Sequence, residues 1–200
     1  MKAIKIVGIV LLSLIVIVVI LGLIAPKEFK VSRSITIPTQ NQEVVFKNIS
    51  IWSEFLKWNP WSGKDPSQKI TFKGTEGTVG SNYAWAGNDD VGEGEMTITS
   101  LTPNTSVESD LHFIKPFEAN NKTLMSMAPD GDGIKVTWEM SGKNTFPFSI
   151  FSLFMNMDKM VGGDFEKGLN TLKEKCLTEA NTAPAAAPAP TTADSTAAKK

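Results

Sequence analysis

The stretch WNPWSGKDPSQKITFKGTEGTVGSNYAWAGNDDVGEGE, residues 58–95, decides the fold of this chain. It is dense in tryptophan, glycine and turn dipeptides, and neither a simple helical period nor a simple strand period generates such a composition. Glycine and proline at this density divide a chain into short segments joined by turns. The stretch is therefore the part of the sequence most specific to one kind of fold.

Three motifs in this stretch resemble the SRPBCC superfamily, the helix-grip proteins that include START-type lipid carriers and polyketide cyclase/dehydrase-like proteins, in its bacterial branch. They are W-x-P-W at residues 58–61, Asp65-Pro66, and G-x-x-G-x-x-Y-x-W-x-G-N at residues 77–88. The resemblance implies a hollow domain in which a sheet wraps a long last helix. It also implies that the space between sheet and helix holds an apolar ligand, without identifying that ligand.

Composition sets outer limits on the remaining possibilities. The 200 residues, 42% of them hydrophobic, suffice for one domain with appendages. A net charge of -1, from 20 basic and 21 acidic residues, gives no overall field that would attract nucleic acid. The single cysteine, Cys176, excludes an internal disulfide.

The amino-terminal segment is predicted to cross a membrane. Residues 6–25 carry no charge, and roughly 20 helical residues at about 1.5 Å each span the roughly 30 Å apolar layer of a bilayer. A cleaved signal peptide is the alternative, because Lys2 and Lys5 form a basic start, but no A-x-A cleavage site precedes Pro26. We expect an uncleaved transmembrane anchor at residues 1–27.

The basic residues on the two sides of this anchor are nearly equal in number, so they only weakly determine its orientation. Two lysines precede the apolar segment, and three basic residues follow it, namely Lys27, Lys30 and Arg33. We expect a single-pass membrane protein with a cytoplasmic amino terminus and an exported soluble domain.

The rest of the chain predicts an α+β domain over residues 28–178. Residues 29–37 alternate as a strand, and residues 42–55 carry apolar side chains at helical steps, which indicates one or two short helices. Six further alternating runs lie at residues 70–73, 81–86, 92–101, 106–114, 117–128 and 134–142. They give an antiparallel sheet of about seven strands. An apolar stripe over residues 161–176 predicts a long last helix that the sheet wraps, begun or kinked by Gly162-Gly163.

Residues 179–200 form a tail rich in alanine, proline and threonine. These side chains offer little to bury and cannot offset the entropy cost of ordering. We expect the tail to be disordered.

Candidate ligand-binding residues are apolar or small and share inward faces of predicted elements. They are Tyr83, Trp85, Gly92, Gly94, Met96, Ile98, Trp138, Met140, Phe165 and Leu169. Aromatic and methionine side chains suit a flat or flexible apolar ligand, and inward glycines would leave room for it. The alternatives are ordinary core packing for the large residues and a bulge or tight bend for the glycines.

Two further segments carry alternative interpretations. The apolar tract at residues 146–160 could form a lid over the pocket, touch the membrane, or be buried in the ordinary way. Trp58, Pro60 and Trp61 are expected to act as scaffold beside the opening rather than as ligand contacts.

Catalytic and metal-binding chemistry finds little support in the sequence. His112 is the only histidine and is predicted on the outward face of its strand, while Cys176 lies on an apolar helical stripe without a partner base. The DGDG sequence at residues 130–133 is typical of a hairpin turn and lacks the other ligands of a calcium loop. We expect no metal, no cofactor and no catalytic residue.

The leading functional hypothesis is a membrane-anchored domain, not an enzyme, that binds a lipid or another hydrophobic small molecule in an internal cavity. A cyclase or dehydratase acting on a polyketide-like chain is the second hypothesis, and outward-facing Glu93, Glu95, Glu139 and His112 would count against it. The third is an envelope protein-interaction domain whose cavity is vestigial. We expect a monomer that binds no nucleic acid.

Overall fold

The computed structural model describes residues 2–144, 148–154 and 156–182. Most of the predicted tail, residues 183–200, lies outside the described residues. So do residue 145 and, within the apolar tract, residues 146, 147 and 155.

The chain begins with helix α1, Lys2–Ile24. Its segment Ile4–Ile24 has a mean hydropathy of 3.4 and is long and apolar enough to cross a membrane. Gly22 and Ala25 at the end of α1 are buried against the domain. Two hydrogen bonds continue this contact, because the backbone N–H of Asn144 donates to the Lys27 carbonyl at 2.8 Å and its side-chain amide donates to the Pro26 carbonyl at 3.2 Å.

The predicted antiparallel sheet of seven strands is confirmed. Its strands are β1 Glu28–Ile37, β2 Lys69–Lys73, β3 Asn82–Ala86, β4 Glu93–Thr102, β5 Ser106–Lys115, β6 Ala119–Asp130 and β7 Gly133–Lys143. Their order across the sheet is β1-β7-β6-β5-β4-β3-β2, with every neighbouring pair antiparallel. The predicted DGDG hairpin is also present, since Asp130 pairs with Gly133 and Gly131 takes the positive φ that a two-residue turn needs.

Two short helices follow β1, as predicted. They are α2, Gln42–Ser50, and α3, Trp52–Phe55. The side chain of Asn41 accepts a hydrogen bond from the Val44 backbone at 3.1 Å and so satisfies a free N–H group at the start of α2. Both helices bury aromatic and aliphatic side chains in the hydrophobic core.

A 3₁₀ segment, Phe148–Leu153, leads to the long last helix α4, Met157–Thr182. The predicted stripe is buried against the sheet, with Phe165, Leu169, Leu172 and Cys176 each no more than 1% exposed. The helix continues past residue 178 to Thr182.

The prediction that Gly162-Gly163 begins α4 is wrong, because the helix begins at Met157. Gly162 instead lies against the guanidinium group of Arg33, where a Cβ atom would collide with it. Arg33 reaches from β1 to α4 and pairs with Asp158 at 2.6 Å and with Glu166 at 2.7 Å. The missing side chain at residue 162 therefore makes room for a charged connection between the first strand and the last helix.

One detail of β4 also differs from simple alternation. Alternation with Met96 and Ile98 would place Ser100 on the inward face, but it is exposed, and Leu101 packs on the core instead. A register shift between Ile98 and Ser100 in the pairing with β5 causes this change, because one extra residue moves all later side chains to the opposite face.

Candidate functional site

A cavity of about 720 Å³ lies between the concave face of the sheet and α4. Its walls are mainly aromatic, aliphatic and methionine side chains, contributed by β1, α3, the loop after α3, strands β3 to β7 and α4. The large apolar lining residues are Phe29, Phe55, Leu56, Trp61, Tyr83, Trp85, Val91, Met96, Leu111, Phe113, Phe117, Trp138, Met140, Met157, Val161 and Phe165.

Seven of the ten candidate residues line this cavity, namely Tyr83, Trp85, Gly92, Met96, Trp138, Met140 and Phe165. The other three, Gly94, Ile98 and Leu169, are buried but are not among the lining residues. Ile98 and Leu169 belong to the hydrophobic core and are each 1% exposed.

The two glycines predicted to face inward, Gly92 just before β4 and Gly94 within it, have different roles. Gly94 pairs with Trp85 across the sheet, and a Cβ atom on it would lie 2.6 Å from both the Trp85 ring and the His112 carbonyl. The space that Gly94 leaves is therefore occupied by the Trp85 indole, which becomes part of the cavity wall. Gly92 lies just before β4 with a positive φ of 65°, and a Cβ atom on it would collide with the Lys115 carbonyl, so this glycine permits a close backbone approach. The bulge that was the alternative interpretation lies on the partner strand, because the register shift at Glu93 leaves Ile114 of β5 as the extra residue.

The stack of Trp138 on Phe165 forms one wall of the cavity. Trp61 meets both rings edge-on, with ring centroids 5.9 Å from Trp138 and 6.1 Å from Phe165. Gly168 faces this cluster, and a Cβ atom there would lie 3.0 Å from both Pro60 and Trp138. The glycine thus lets α4 approach the loop at residues 58–61.

The loop that carries the W-x-P-W motif packs into the core and also forms part of the cavity wall. Trp58 is 2% exposed, and its indole N–H donates to the Asn48 carbonyl at 2.9 Å. Asp65 accepts hydrogen bonds from the Ser67 hydroxyl at 2.6 Å and from the Asn88 backbone at 2.8 Å, and these bonds lower the pKa of its carboxyl group. Trp61 and Asn59 line the cavity.

Polar groups inside the cavity were missed by the sequence reasoning. Asn121 and Thr123 are buried on the inward face of β6 and line the cavity beside Met140. The indole N–H of Trp138 and the hydroxyl of Ser62 have no hydrogen-bond partner among the described residues, but both atoms are buried in the packing behind the cavity surface. The signal was visible in β6, where alternation gives Asn121, Thr123, Met125 and Met127 one face, so two polar residues precede two methionines.

Titratable groups are sparse in the interior of the cavity. Tyr83 is the buried titratable residue among those lining it, and desolvation raises the pKa of its hydroxyl well above the usual value. The charged lining residues, Asp89, Asp90, Lys115, Glu118 and Lys143, are exposed.

The carboxylates and the histidine that would favour catalysis lie outside the cavity lining. Glu93 pairs with Lys115 at 2.6 Å, and Glu139 pairs with Lys30 at 2.7 Å. The His112 ring lies 3.3 Å from Glu118. These contacts are typical of solvated ion pairs on the outer face of a sheet.

Nucleophilic and metal chemistry are also unsupported in the described part of the chain. Cys176 is fully buried away from the cavity lining, and burial raises the pKa of its thiol to about 12. No group of three or more His, Cys, Asp or Glu side chains placed to hold a metal ion occurs among the described residues.

Comparisons with known proteins agree with this architecture. The family model described as polyketide cyclase/dehydrase and lipid transport matches residues 28–176. No curated protein matches the chain.

Solved structures show the same fold at low sequence identity. The Mll3558 protein from Rhizobium loti has a TM-score of 0.57 at 14% identity, covering 74% of this chain and 96% of its own. A Staphylococcus aureus protein of unknown function has a TM-score of 0.57 at 11% identity, covering 78% and 97%. The major latex-like protein 151 from Panax ginseng has a TM-score of 0.50 at 13% identity, covering 80% and 100%.

Proposed function

The chain belongs to the polyketide cyclase/dehydrase and lipid transport family, and from this premise we propose that it binds a lipid-like or other hydrophobic small molecule without transforming it. Family membership and the helix-grip fold support a hydrophobic ligand-binding or cyclase-like role. The choice between these two roles depends on the chemistry inside the cavity.

The observation that carries the proposal is a cavity of about 720 Å³ with apolar walls, bounded by the stacked rings of Trp138 and Phe165. Ligand sites are typically clefts of about 300–1,000 Å³ with apolar walls and a few placed polar groups. Burying an apolar ligand there would stabilise the complex by removing hydrocarbon from water. Methionines at residues 96, 140 and 157 allow the walls to adapt to a flexible chain.

The ligand we propose is amphipathic, with one polar group on a largely apolar body. Thr123 and Asn121 offer polar atoms on one inner strand of the cavity wall, where they could bind the polar group of such a ligand.

The cyclase or dehydratase alternative requires a group that can move a proton inside the cavity. Tyr83 is the candidate the interior offers, and its raised pKa keeps it protonated near neutral pH, where it cannot serve as a general base. The alternative of a vestigial cavity is disfavoured by the volume that remains between sheet and helix.

In this proposal residues 1–27 form an uncleaved membrane anchor and residues 28–178 form the binding domain. The domain is exported and acts as a monomer. The long apolar helix α1 supports the anchor, since its segment Ile4–Ile24 can span a bilayer.

Native mass spectrometry of the intact protein, extracted gently in detergent from a bacterial host, tests the proposal. A stoichiometric apolar adduct, identified by lipid and metabolite analysis, is the expected result. A folded protein without any adduct, which also binds none of the host lipids added back, would contradict it and favour the enzyme or interaction alternatives.

A further inference from the structure

The cavity opens at one end of the sheet. Its lining residues at the strand termini are Phe29 near the start of β1, Lys115 at the end of β5, Ala119 at the start of β6 and Lys143 at the end of β7. Antiparallel pairing brings these termini together, as shown by Phe29 opposite Gly142. The turns at the opposite end of the sheet contribute no lining residue within the described part of the chain.

This open end is the end that carries the membrane helix. Only the short link from Ala25 to Lys27 separates α1 from β1. Asn144 lines the cavity, and it donates hydrogen bonds to the carbonyls of Pro26 and Lys27. One residue therefore joins the cavity wall directly to the end of the anchor.

Exposed apolar side chains surround the same end. Phe154 is 77% exposed, Phe117 is 67% exposed and Leu153 is 36% exposed. Phe117 lines the cavity, and the 3₁₀ segment Phe148–Leu153 packs against α1. We call Leu153, Phe154 and Phe117 the apolar rim. An exposed apolar cluster beside a membrane helix is typical of a surface that contacts lipid.

We propose that the apolar rim inserts into the leaflet that surrounds the end of α1, so that the cavity takes its ligand directly from the membrane. This inference rests on the function proposed above and adds the source of the ligand, which is a molecule dissolved in the adjoining leaflet. The rim contacts the lipid surface, and the cavity binds an amphipathic molecule taken from that surface.

Geometry leaves the domain little freedom to turn away from the bilayer. Three residues of chain, at no more than about 3.6 Å each, separate the end of α1 from the sheet. Burial of Gly22 and Ala25 against the domain extends the rigid contact into the last turn of the helix. Because the 3₁₀ segment that contains Leu153 contacts α1, this part of the rim lies beside the membrane helix.

The far end of the sheet supplies a matched control. Val79 is 61% exposed in the turn between β2 and β3. A strand of about ten residues spans roughly 33 Å at about 3.3 Å per residue, so Val79 lies well away from the apolar rim.

The test uses the full chain in nanodiscs of phosphatidylcholine and phosphatidylglycerol, with a fraction of lipids carrying a nitroxide near the headgroup. Phe154→Cys and Val79→Cys are each labelled with the fluorophore NBD, and Leu153→Cys serves as a second rim variant. The native chain controls for labelling, because Cys176 is fully buried.

At residues 153 and 154 we expect weaker NBD fluorescence in nanodiscs that carry the nitroxide than in nanodiscs without it, and emission at shorter wavelength than that of NBD in water. At residue 79 we expect neither change. Equal behaviour at both ends would overturn the inference, even if the detergent-extracted protein carries an apolar adduct. Quenching at the rim in a protein that never carries an adduct would support insertion of the rim into the membrane. It would contradict the proposed ligand-binding function. The two proposals can therefore fail separately.

Discussion

The indole ring of Trp138 stacks on the phenyl ring of Phe165 with centroids 4.1 Å apart and planes 2° apart. Trp138 stands on the last strand and Phe165 on the last helix, so this contact joins the two sides of the cavity. Both side chains are at most 2% exposed. The pair fixes how closely α4 approaches the sheet and therefore how much space remains beside it.

Replacing Phe165 with alanine should lower the free energy of unfolding by about 3–5 kcal/mol, since it removes a buried ring from a packed cluster. Phe72→Ala is the matched control, because Phe72 is 45% exposed on an edge strand. We expect the control to change stability by less than about 1 kcal/mol. Urea unfolding of the detergent-solubilised chain measures both, and equal losses would show that the stack does not carry the stability assigned to it.

Gly94→Ala should destabilise the domain by about 1–3 kcal/mol, because overpacking forces neighbouring groups to move. The added Cβ would lie 2.6 Å from the His112 carbonyl and from the Trp85 ring. Gly63→Ala is the control, since its Cβ would meet nothing within 4 Å. Thermal unfolding with near-ultraviolet circular dichroism measures stability and the Trp85 environment together. An unchanged spectrum and stability would contradict the role of Gly94 in seating that ring.

Glu54 should make the free energy of unfolding depend on pH in the acid range. Its carboxylate accepts hydrogen bonds from Lys57 at 2.8 Å and from Lys175 at 2.9 Å, and these bonds lower the pKa of Glu54 to about 2. A lowered carboxyl pKa stabilises the fold above the unfolded-state pKa, and this contribution disappears as the pH falls through the folded-state pKa. The relevant window therefore runs from about pH 4.5 down to about pH 2.

At neutral pH, Glu54→Gln should lower the free energy of unfolding by about 2–3 kcal/mol, and the difference from wild type should shrink as the solution is acidified. Glu174→Gln changes the charge equally on an exposed position of α4, and we expect a change of less than about 0.5 kcal/mol. Urea titrations across the acid range give the comparison. A difference that stays constant with pH would show that the charge of Glu54 is not what stabilises the fold.

The Cys176 thiol should resist modification in the folded protein. It is fully buried, and its pKa is raised to about 12, so little of the reactive thiolate forms near pH 8. Maleimide labelling followed by intact mass measurement should show no adduct on the native chain and one after denaturation. Rapid labelling of the native chain would mean that α4 separates from the sheet in solution.

Thr123→Val tests the polar end of the cavity. The substitution keeps the shape and removes one hydrogen-bonding group, which is worth about 1 kcal/mol or about fivefold in affinity. Native mass spectrometry should therefore show a smaller fraction of adduct, while stability is unchanged or slightly raised. Ser109→Ala is the control, because Ser109 pairs with Thr123 across the sheet but does not line the cavity. Equal occupancy in both variants would show that Thr123 does not bind the polar group of the ligand.

The order of elements could be predicted from the sequence because each carries a clear local period. The alternation of Val31 and Ile35 marks β1, and the stripe through Phe165 and Leu172 marks α4. Strand ends were accurate to within two residues wherever Gly, Pro or Asp marked a turn.

The remaining features depend on contacts between distant residues. The interior position of Thr123 could be derived from alternation, but its place in the cavity wall depends on how far α4 stands from the sheet. Gly162 has no local signal for its role, because its partner Arg33 lies on the first strand. The bulge after Ile98 is set by the pairing between β4 and β5, so alternation within β4 alone gave the wrong face for Ser100.

The pairing of β1 with β7 also sets the order in which the protein can be assembled. β1 lies at one edge of the sheet, and β7 is its single neighbour, with Val31 opposite Met140. During synthesis the first strand emerges from the ribosome long before its neighbour does. It must stay unpaired until more than a hundred further residues have been translated. Contacts of such high sequence separation form slowly and leave strand edges open to other chains. Early placement of the apolar helix would keep that waiting strand apart from other nascent chains.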